Sequence, residues 1–237
     1  MKNKISVWLL FPLLLASVSC GNSHNQKNTE VPVDCPLKKQ GVNARGMKPF
    51  EDVKKYIDFL ERKDRNGWQK PEAVISSIGL KGSEILADIG AGSGYFTFRF
   101  SKELPRGKVV AIDVEPGMIR YIHHKAKTSR IKNIEVVIAS YDDPRVPENV
   151  DVVFMCDVLH HVKKRGEWLS KLYTEMKKSS KLILIEFKEG NIPEGPPASI
   201  KITSKEMLSL MAGAGFKLIK QHSRLLAYQY YYEFEKK

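Results

Sequence analysis

Residues 87–96 read Ala-Asp-Ile-Gly-Ala-Gly-Ser-Gly-Tyr-Phe, and this stretch decides the fold. An apolar run that predicts a β-strand ends in Asp88, and Gly90, Gly92 and Gly94 follow at alternate positions. Glycine permits a tight turn and lacks the Cβ that would keep a ligand away from the backbone. We therefore expect a strand, a turn open to a ligand and then a helix, at the carboxyl edge of a parallel sheet.

A second strand is predicted over residues 108–113, a short β-branched run that ends in Asp113. Asp113 lies 19 residues after Gly94, where a carboxylate can accept hydrogen bonds from the two hydroxyls of a ribose. The alternative for Asp113 is a favourable charge at the start of the next helix, without contact to a ligand.

A third strand, residues 134–138, leads into a polar loop. The polar side chains of this loop include Ser140, Asp142 and Asp143. The Asp-Pro pair that closes the loop is also ordinary turn chemistry, so a purely structural role stays open for each of these side chains.

The fourth strand opens at Asp151, and Asp157 follows at its carboxyl end, on the side where open α/β sheets bind ligands. His160 and His161 come soon after it. If the reaction needs a general base, Asp157 and the two histidines are the candidates.

The rest of the chain continues to alternate strands with helices. A helix is predicted over residues 165–178, a strand over 181–186, a helix with a capping box at Thr203, and a strand over 216–222. The aromatic residues that follow alternate with the period of a strand: Tyr228, Tyr230, Tyr232 and Phe234. The order predicts an α/β fold with a Rossmann-like, doubly wound sheet of seven strands, mostly parallel, with an antiparallel C-terminal hairpin at one edge and helices on both faces.

Two helices are predicted ahead of this core, within residues 46–80. Val53, Ile57 and Leu60 share one face of the first helix with Phe50, and Pro71 suits the first turn of the second. Trp68 and Gln69 lie between the two helices; for Trp68 a hydrophobic staple of the second helix is an equal alternative to a place in the ligand site.

The glycine pattern resembles motif I of class I S-adenosylmethionine-dependent methyltransferases, because Tyr95 stands where a nicotinamide-binding turn would have its last glycine. Residues 113–119 are similar to the D-x-x-P-x-M-x segment of that family. Residues 150–161 resemble the F-D-x-V-x-x-x-x-V-L-H-H segment of its ubiquinone and menaquinone branch, with Val150 in place of Phe. The resemblance covers residues 68–237 and is most specific over 84–161.

This resemblance implies S-adenosylmethionine as the cofactor and methyl transfer to an unidentified small molecule or lipid, with carbon methylation of a quinone precursor suggested by the branch. The family uses the acid of motif I for the methionine part of the cofactor, the acid after the second strand for the ribose, and the apolar residues behind it for the adenine. The predicted cofactor-binding residues are Asp88, Gly90, Ala91, Gly92, Gly94, Asp113, Val114, Met118, Ser140, Asp142 and Asp157.

The resemblance leaves the catalytic residue unassigned. A histidine pair after the fourth strand accompanies many different substrates in this family, so we interpret His160 and His161 as structural. Met155 and Tyr231 are at most walls of a pocket, and the family commonly uses an N-terminal helix as a lid over the cofactor, to which Trp68 and Gln69 could contribute.

Residues 1–20 predict a targeting segment that is excluded from the fold. Lys2 and Lys4 precede an apolar run over residues 5–16, which is shorter than the roughly 20 residues that a membrane-spanning helix needs. The end of this segment resembles a bacterial lipoprotein cleavage site, with Cys20 as the acylated residue and Ser17 in place of the usual Leu. Residues 21–45 predict a flexible tether, and residues 46–237 form the domain.

The location of the protein follows from this segment. We expect an exported, membrane-anchored lipoprotein, with ordinary secretion as an alternative. A start at Met47 would instead give a cytoplasmic protein, since residues 47–237 have the length of a whole methyltransferase domain.

Composition limits the other classes of function. The chain has 237 residues, of which 42% are hydrophobic, and its formal net charge is +12, which can attract anionic lipid or acidic substrates. We expect a monomer and no nucleic-acid partner, because the lysines are spread evenly and no basic stripe carries interleaved aromatic residues. The three cysteines have no C-x-x-C spacing, and His123 and His124 have no third ligand in view, so no metal site is predicted.

Two other functions stay open. S-adenosylmethionine is made in the cytoplasm, so an exported domain needs a retained cytoplasmic face or an external source of cofactor. A non-enzymatic lipoprotein with a degenerate methyltransferase fold is therefore one alternative. A nicotinamide-dependent oxidoreductase is the other, although Tyr95 opposes it.

Overall fold

A computed structural model of the protein describes residues 40–41 and 50–236. The strands are β1 (Ile85–Ile89), β2 (Lys108–Asp113), β3 (Ile134–Ile138), β4 (Val152–Cys156), β5 (Lys181–Phe187), β6 (Phe216–Gln221) and β7 (Gln229–Lys236). The helices are α1 (Phe50–Leu60), α2 (Arg65–Gln69), α3 (Pro71–Ile78), α4 (Thr97–Glu103), α5 (Pro116–Thr128), α6 (Arg165–Glu175) and α7 (Ser204–Gly213), with short 3-10 turns at Leu159–His161 and Ala198–Ile200.

The seven strands form one sheet in the order β3-β2-β1-β4-β5-β7-β6. Strands β1 to β5 pair in parallel, whereas β7 runs antiparallel to both β5 and β6. This confirms the predicted fold class. Strand order reverses between β1 and β4, and ligands of open α/β sheets bind at the carboxyl ends of the strands that flank such a reversal.

Helices cover both faces of the sheet. On one face α6 and α7 contribute Leu169, Leu172 and Met207 to a core that includes Val153 and Leu184. Helices α3, α4 and α5 cover the opposite face. The parallel strands therefore consist of near-continuous apolar runs, which is why their bounds were readable from the sequence.

The N-terminal predictions fall partly outside the described residues. Cys20, the leader over residues 1–20 and most of the tether over residues 21–45 lie there. Gln40 is described, and its side chain contacts the sheet although it lies in the predicted tether: its Nε2 donates to Val136 O at 3.1 Å and its Oε1 accepts from Ile138 N at 2.8 Å. The amide thus occupies backbone groups of β3, which lies at the edge of the sheet. In the part of the chain that is described, no helix has the length and apolar character needed to cross a membrane.

Two details of the predicted elements are wrong. Helix α6 ends at Glu175 rather than at 178, because Met176 takes an extended backbone with ψ 138°. Strand β7 begins at Gln229 rather than at Tyr228, and both of its faces are buried, with Tyr231 and Glu233 at 1% and 3% exposure. Tyr231 and Met155 are core residues rather than pocket walls, since Met155 is fully buried and the Tyr231 hydroxyl lies 2.9 Å from Ser77 Oγ.

Glu233 is a buried acid in the C-terminal hairpin. Its carboxylate lies 2.5 Å from His222 Nε2 and 3.1 Å from Lys181 Nζ. Burial alone would raise the pKa of this carboxyl, but the hydrogen bonds from His222 and Lys181 outweigh burial and hold the pKa below its ordinary value of 4.5. The ionised form of Glu233 therefore stabilises the join between β5, β6 and β7.

We expect Glu233→Gln to lower the free energy of unfolding by about 2 kcal/mol at neutral pH, because two hydrogen bonds lose their charged acceptor. The folded pKa lies below the unfolded one, so this stabilisation is present above the unfolded pKa and is lost as pH falls through the folded pKa. Urea unfolding of both proteins across this range measures the effect. Glu235→Gln, which removes an exposed pair with Lys217, is the matched control and should cost less than about 1 kcal/mol. An E233Q protein as stable as wild type at neutral pH would contradict this account.

Candidate functional site

The glycine turn after β1 is held against β2 by a hydrogen bond. Gly92 has φ +55° and donates its N–H to Asp113 Oδ2 at 2.8 Å. A Cβ at Gly92 would lie 3.0 Å from Leu60 Cδ1, and a Cβ at Gly90 would lie 2.3 Å from Val158 Cγ2. Only glycine therefore fits this turn, which is covered by the end of α1 on one side and by the segment after β4 on the other.

Asp88 lies inside β1 and is 3% exposed. Its Oδ2 accepts a hydrogen bond of 2.5 Å from the Thr97 hydroxyl at the start of α4. Burial raises the pKa of Asp88 to about 7; the Thr97 hydroxyl opposes this rise and the charge of Asp113 adds to it. The sheet thus holds a carboxyl group that changes charge near neutral pH.

Asp113 ends β2 and is half-buried. One carboxylate oxygen accepts from Gly92 N, and the other accepts from Glu115 N at 2.8 Å. Burial raises the pKa of Asp113, against the effect of these two backbone donors. A carboxylate has about four lone-pair positions, so two remain for further donors such as ribose hydroxyls. Val114 is half-buried, whereas Met118 is 2% exposed and packs against Val53 and Ile57 of α1.

Tyr95 follows the turn and fastens it to α2. Its ring lies between two guanidinium groups, with Arg65 Cζ 3.9 Å and Arg99 Cζ 4.1 Å from the ring centroid. Its hydroxyl donates to Asn66 Oδ1 at 2.5 Å. Burial raises the pKa of Tyr95 to about 12. Tyrosine at this position therefore has a structural reason that a glycine would not provide.

Asp157 follows β4 with φ +61°, a left-handed conformation that aspartate tolerates better than most residues. Gln229 Nε2 donates to both of its carboxylate oxygens, at 2.8 and 2.9 Å, and Gln69 Nε2 donates to Gln229 Oε1 at 2.8 Å. Burial, together with the charge of Glu186, raises the pKa of Asp157 to about 6. The amide chain joins helix α2 to the carboxyl end of β4.

His160 and Glu186 form a buried pair at the end of β5. Glu186 Oε2 lies 2.8 Å from His160 Nδ1, and Glu186 Oε1 accepts the backbone N–H of Leu159 at 2.5 Å. Burial lowers the pKa of His160, but the hydrogen bond and charge of Glu186 outweigh it and the pKa is raised. Burial lowers the pKa of His161 to about 4. Glu186 thus fixes the 3-10 turn and the orientation of the His160 ring, in line with the structural interpretation of the pair.

Ser140 and Asp142 lie in the loop after β3. The Ser140 hydroxyl donates to Asp142 Oδ1 at 2.6 Å, and this bond lowers the pKa of the exposed Asp142 carboxyl. The two side chains bond to one another and not to the glycine turn. Of the predicted residues, the structure places those of the turn and of the ends of β2 and β4 at one edge of the sheet: Asp88, Gly90, Ala91, Gly92, Gly94, Asp113, Val114, Met118 and Asp157. Their roles as cofactor ligands remain predictions.

Four polar residues of the site were missed by the sequence analysis: Arg65, Thr97, Glu186 and Gln229. Gln229 opens β7 opposite Phe187, and only the antiparallel pairing brings it to the carboxyl end of β4. Arg65 directly precedes the Asn-Gly-Trp segment, and its burial at 9% exposure has no periodic signal. Within residues 40–41 and 50–236, no cluster of His, Cys, Asp and Glu has the arrangement of a metal site.

Comparison with known proteins adds to this geometry. Residues 87–182 match the sequence profile of a family described as methyltransferase domain. The chain is 30% identical over 139 residues to the tRNA U34 carboxymethyltransferase of Desulfotalea psychrophila, an alignment that covers 57% of this chain and 41% of that protein. It is 26% identical over 165 residues to the ubiquinone/menaquinone biosynthesis C-methyltransferase UbiE of Citrifermentans bemidjiense, which covers 66% and 68% of the two chains.

A solved structure shares the fold over most of its length. The SAM-dependent methyltransferase from Aquifex aeolicus is similar with a TM-score of 0.70 at 26% identity, over 79% of this chain and 98% of that one. The chain spans less than half the length of the first relative named above.

We expect the stability of the protein to fall by about 2 kcal/mol between pH 5 and pH 8 through Asp88 alone. The folded pKa of about 7 lies above the ordinary value of 3.8, so this stability is fully present below the ordinary value and is lost as pH rises from there through the folded pKa. This fall in stability should disappear in Asp88→Asn. Urea unfolding of the variant and of wild type at the two pH values measures it. Asp142→Asn, at an exposed carboxyl, is the control and should keep the wild-type slope. An unchanged slope in D88N would show that Asp88 is ionised at both pH values.

Proposed function

We propose that this chain, which carries a class I S-adenosylmethionine-dependent methyltransferase domain, transfers the methyl group of S-adenosylmethionine to a small-molecule or lipid acceptor. One observation carries the proposal. The bare backbone of the glycine turn, the ribose-competent carboxylate Asp113 and the acid Asp157 meet at the carboxyl ends of β2, β1 and β4, where the strand order reverses.

The residues present fit the cofactor. Asp113 keeps two lone-pair positions and the half-buried Val114 directly follows it, while Gly90 and Gly92 let the turn pack closely between Val158 and Leu60. When bound, S-adenosylmethionine supplies a methyl group that its sulfonium already activates. The protein then has to align an acceptor with that methyl, and alignment provides much of the rate.

Groups at the carboxyl end of β5, where Phe187 pairs with Gln229, the hydrogen-bond partner of Asp157, suit an acceptor with an oxygen atom. The Trp68 indole Nε1 is buried and has no hydrogen-bond partner among the described residues, so it offers a donor to a ligand oxygen. The Trp68 ring lies 5.8 Å from the Phe187 ring, which gives the site an aromatic wall. Asp157, with its pKa of about 6, is ionised at neutral pH and can take a proton from an acceptor hydroxyl.

The two alternative functions, an oxidoreductase and an inactive lipoprotein, are supported by fewer observations. A nicotinamide-dependent oxidoreductase is disfavoured because the Tyr95 ring, held between Arg65 and Arg99, fills the place of the last glycine of its turn. An exported lipoprotein without activity is favoured only by the leader. The carboxylates Asp88, Asp113 and Asp157 are all still present at the sheet edge, which favours an enzyme.

We also propose that the protein acts as a monomer tethered to a membrane through Cys20, and that it is exported. The proposal rests on the sequence of residues 1–20, since these lie outside the described residues. A tether would raise the local concentration of a lipid-soluble acceptor at the domain.

Binding of S-adenosylhomocysteine, the product form of the cofactor, tests the proposed activity. We expect micromolar affinity by calorimetry for the full-length protein in mild detergent. Asp113→Ala should weaken it by at least about tenfold, because the ribose loses a charged acceptor. Glu135→Ala, at the exposed partner of Lys108 on the neighbouring strand, should leave affinity unchanged. Folded wild-type protein that does not bind would exclude the methyltransferase activity.

The membrane tether is tested by labelling a bacterial host with tritiated palmitate. We expect the label on wild-type protein and on Cys35→Ser, and both in the membrane fraction. Cys20→Ser should lose the label and move to the soluble fraction, because the acyl chains that hold it to the bilayer are attached through that sulfur. Unlabelled wild-type protein in the soluble fraction would rule out lipoprotein processing.

A further inference from the structure

Arg65 is a buried cation whose charge has no anionic partner. Arg65 is only 9% exposed. Nη1 donates to Leu60 O at 2.9 Å, and Nε and Nη2 reach Gln69 Oε1 at 3.4 Å. Among the residues that the structure describes, no carboxylate forms an ion pair with it. The guanidinium has five N–H donors, so at least one remains for a ligand.

Burial makes this arrangement unfavourable by itself. A charge removed from water is stabilised inside a protein only if it is paired or well hydrogen-bonded. The Tyr95 ring compensates in part, through the attraction of a cation to the face of an aromatic ring. The neutral Gln69 oxygen, at 3.4 Å, adds little more.

Arg99 stacks on the same ring but, unlike Arg65, has an anionic partner. It lies on the other face of Tyr95, and it pairs with Glu72 at 3.3 Å and donates to Asn66 Oδ1 at 3.2 Å. Two arginines therefore stack on one tyrosine, and only the outer one has a carboxylate.

The position of Arg65 relates it to the cofactor turn. Tyr95 directly follows Gly94, so the guanidinium that stacks on it lies beside the turn. Arg65 Nε also reaches Gln69 Oε1, and the Gln69 amide connects through Gln229 to Asp157, so the guanidinium is linked to the carboxyl end of β4 as well. The charge of Arg65 lowers the pKa of both Asp88 and Asp157, but it pairs with neither: Asp88 accepts from the Thr97 hydroxyl and Asp157 accepts from Gln229.

We propose that the Arg65 guanidinium binds the α-carboxylate of the methionine part of S-adenosylmethionine, an inference that rests on the proposed function. That carboxylate is the anion of the cofactor, and the planar guanidinium fork matches carboxylate geometry. Arg65 is thus a cofactor-positioning residue supplied by α2, outside the glycine motif.

Matched ligands test the assignment. S-adenosylhomocysteine and 5′-methylthioadenosine share the nucleoside and the sulfur, but only the first carries the amino-acid carboxylate. Calorimetry with the full-length protein should show that Arg65→Met weakens the affinity for S-adenosylhomocysteine by at least about tenfold. The affinity for 5′-methylthioadenosine should change by less than twofold. Arg99→Met, which removes the outer arginine from the same ring, should alter neither affinity by more than twofold.

Several results would overturn the assignment. Equal losses for the two ligands would make Arg65 a structural residue, and an unchanged affinity for S-adenosylhomocysteine would place the carboxylate elsewhere. If Arg65→Met does not fold, Arg65→Lys keeps the charge without the fork, and its preference for S-adenosylhomocysteine over 5′-methylthioadenosine must fall below that of wild type. Wild-type protein that binds neither ligand would overturn the proposed function as well, which separates the two failures.

Discussion

The hydrogen bond from Gly92 N–H to the Asp113 carboxylate is the contact on which the site depends. It joins the turn after β1 to the end of β2, and it is possible because glycine accepts the left-handed backbone at φ +55°. The same bond leaves Asp113 pointing across the turn with part of its acceptor capacity free. A side chain at residue 92 would be strained at this backbone angle, and its Cβ would lie 3.0 Å from Leu60 Cδ1 at the end of α1. The glycine turn is therefore bonded to β2 and packed against the end of α1.

The N-terminal helices are part of the site and not an addition to the sheet. Helix α2 has only five residues, yet it provides Arg65 to the Tyr95 ring and Gln69 to the chain that ends on Asp157. A helix this short gains little stability from its own hydrogen bonds. Its position is fixed instead by these side-chain contacts with β4, β7 and the glycine turn. We therefore expect substitutions in the site to alter the position of α2 before that of other elements.

The sequence was sufficient for the sheet because each parallel strand is an apolar run bounded by turn residues. The bounds of β2 and β3 were predicted as the structure has them, and Asp88 and Asp113 were found because strand ends mark the ligand edge. Gln229 was not found, since its contacts with Asp157 and Gln69 join residues 72 and 160 positions apart. Arg65 was not found because its stacking on the Tyr95 ring leaves no periodic signal in the sequence. Period alone could not show that both faces of β7 are buried, as it cannot say which elements cover an edge. Ser140 and Asp142 were correctly placed in a loop, but pattern could not show that they bond to each other.

Two buried acids of this protein, Glu233 and Asp88, have opposite pKa shifts because their partners differ. Glu233 and Asp88 are both 3% exposed, but the pKa of Glu233 is lowered and that of Asp88 is raised. The difference lies in the partners, because Glu233 contacts Lys181 and His222, whereas Asp88 is hydrogen-bonded by the hydroxyl and the backbone of Thr97. The acid of the C-terminal hairpin is thus paired with basic side chains, whereas the acid at the sheet edge is not. A ligand with ammonium and sulfonium charges would favour the ionised acids, and its carboxylate would complement Arg65. The charges of S-adenosylmethionine match what this edge of the sheet lacks, which is a physical reason for the cofactor that is independent of the glycine motif.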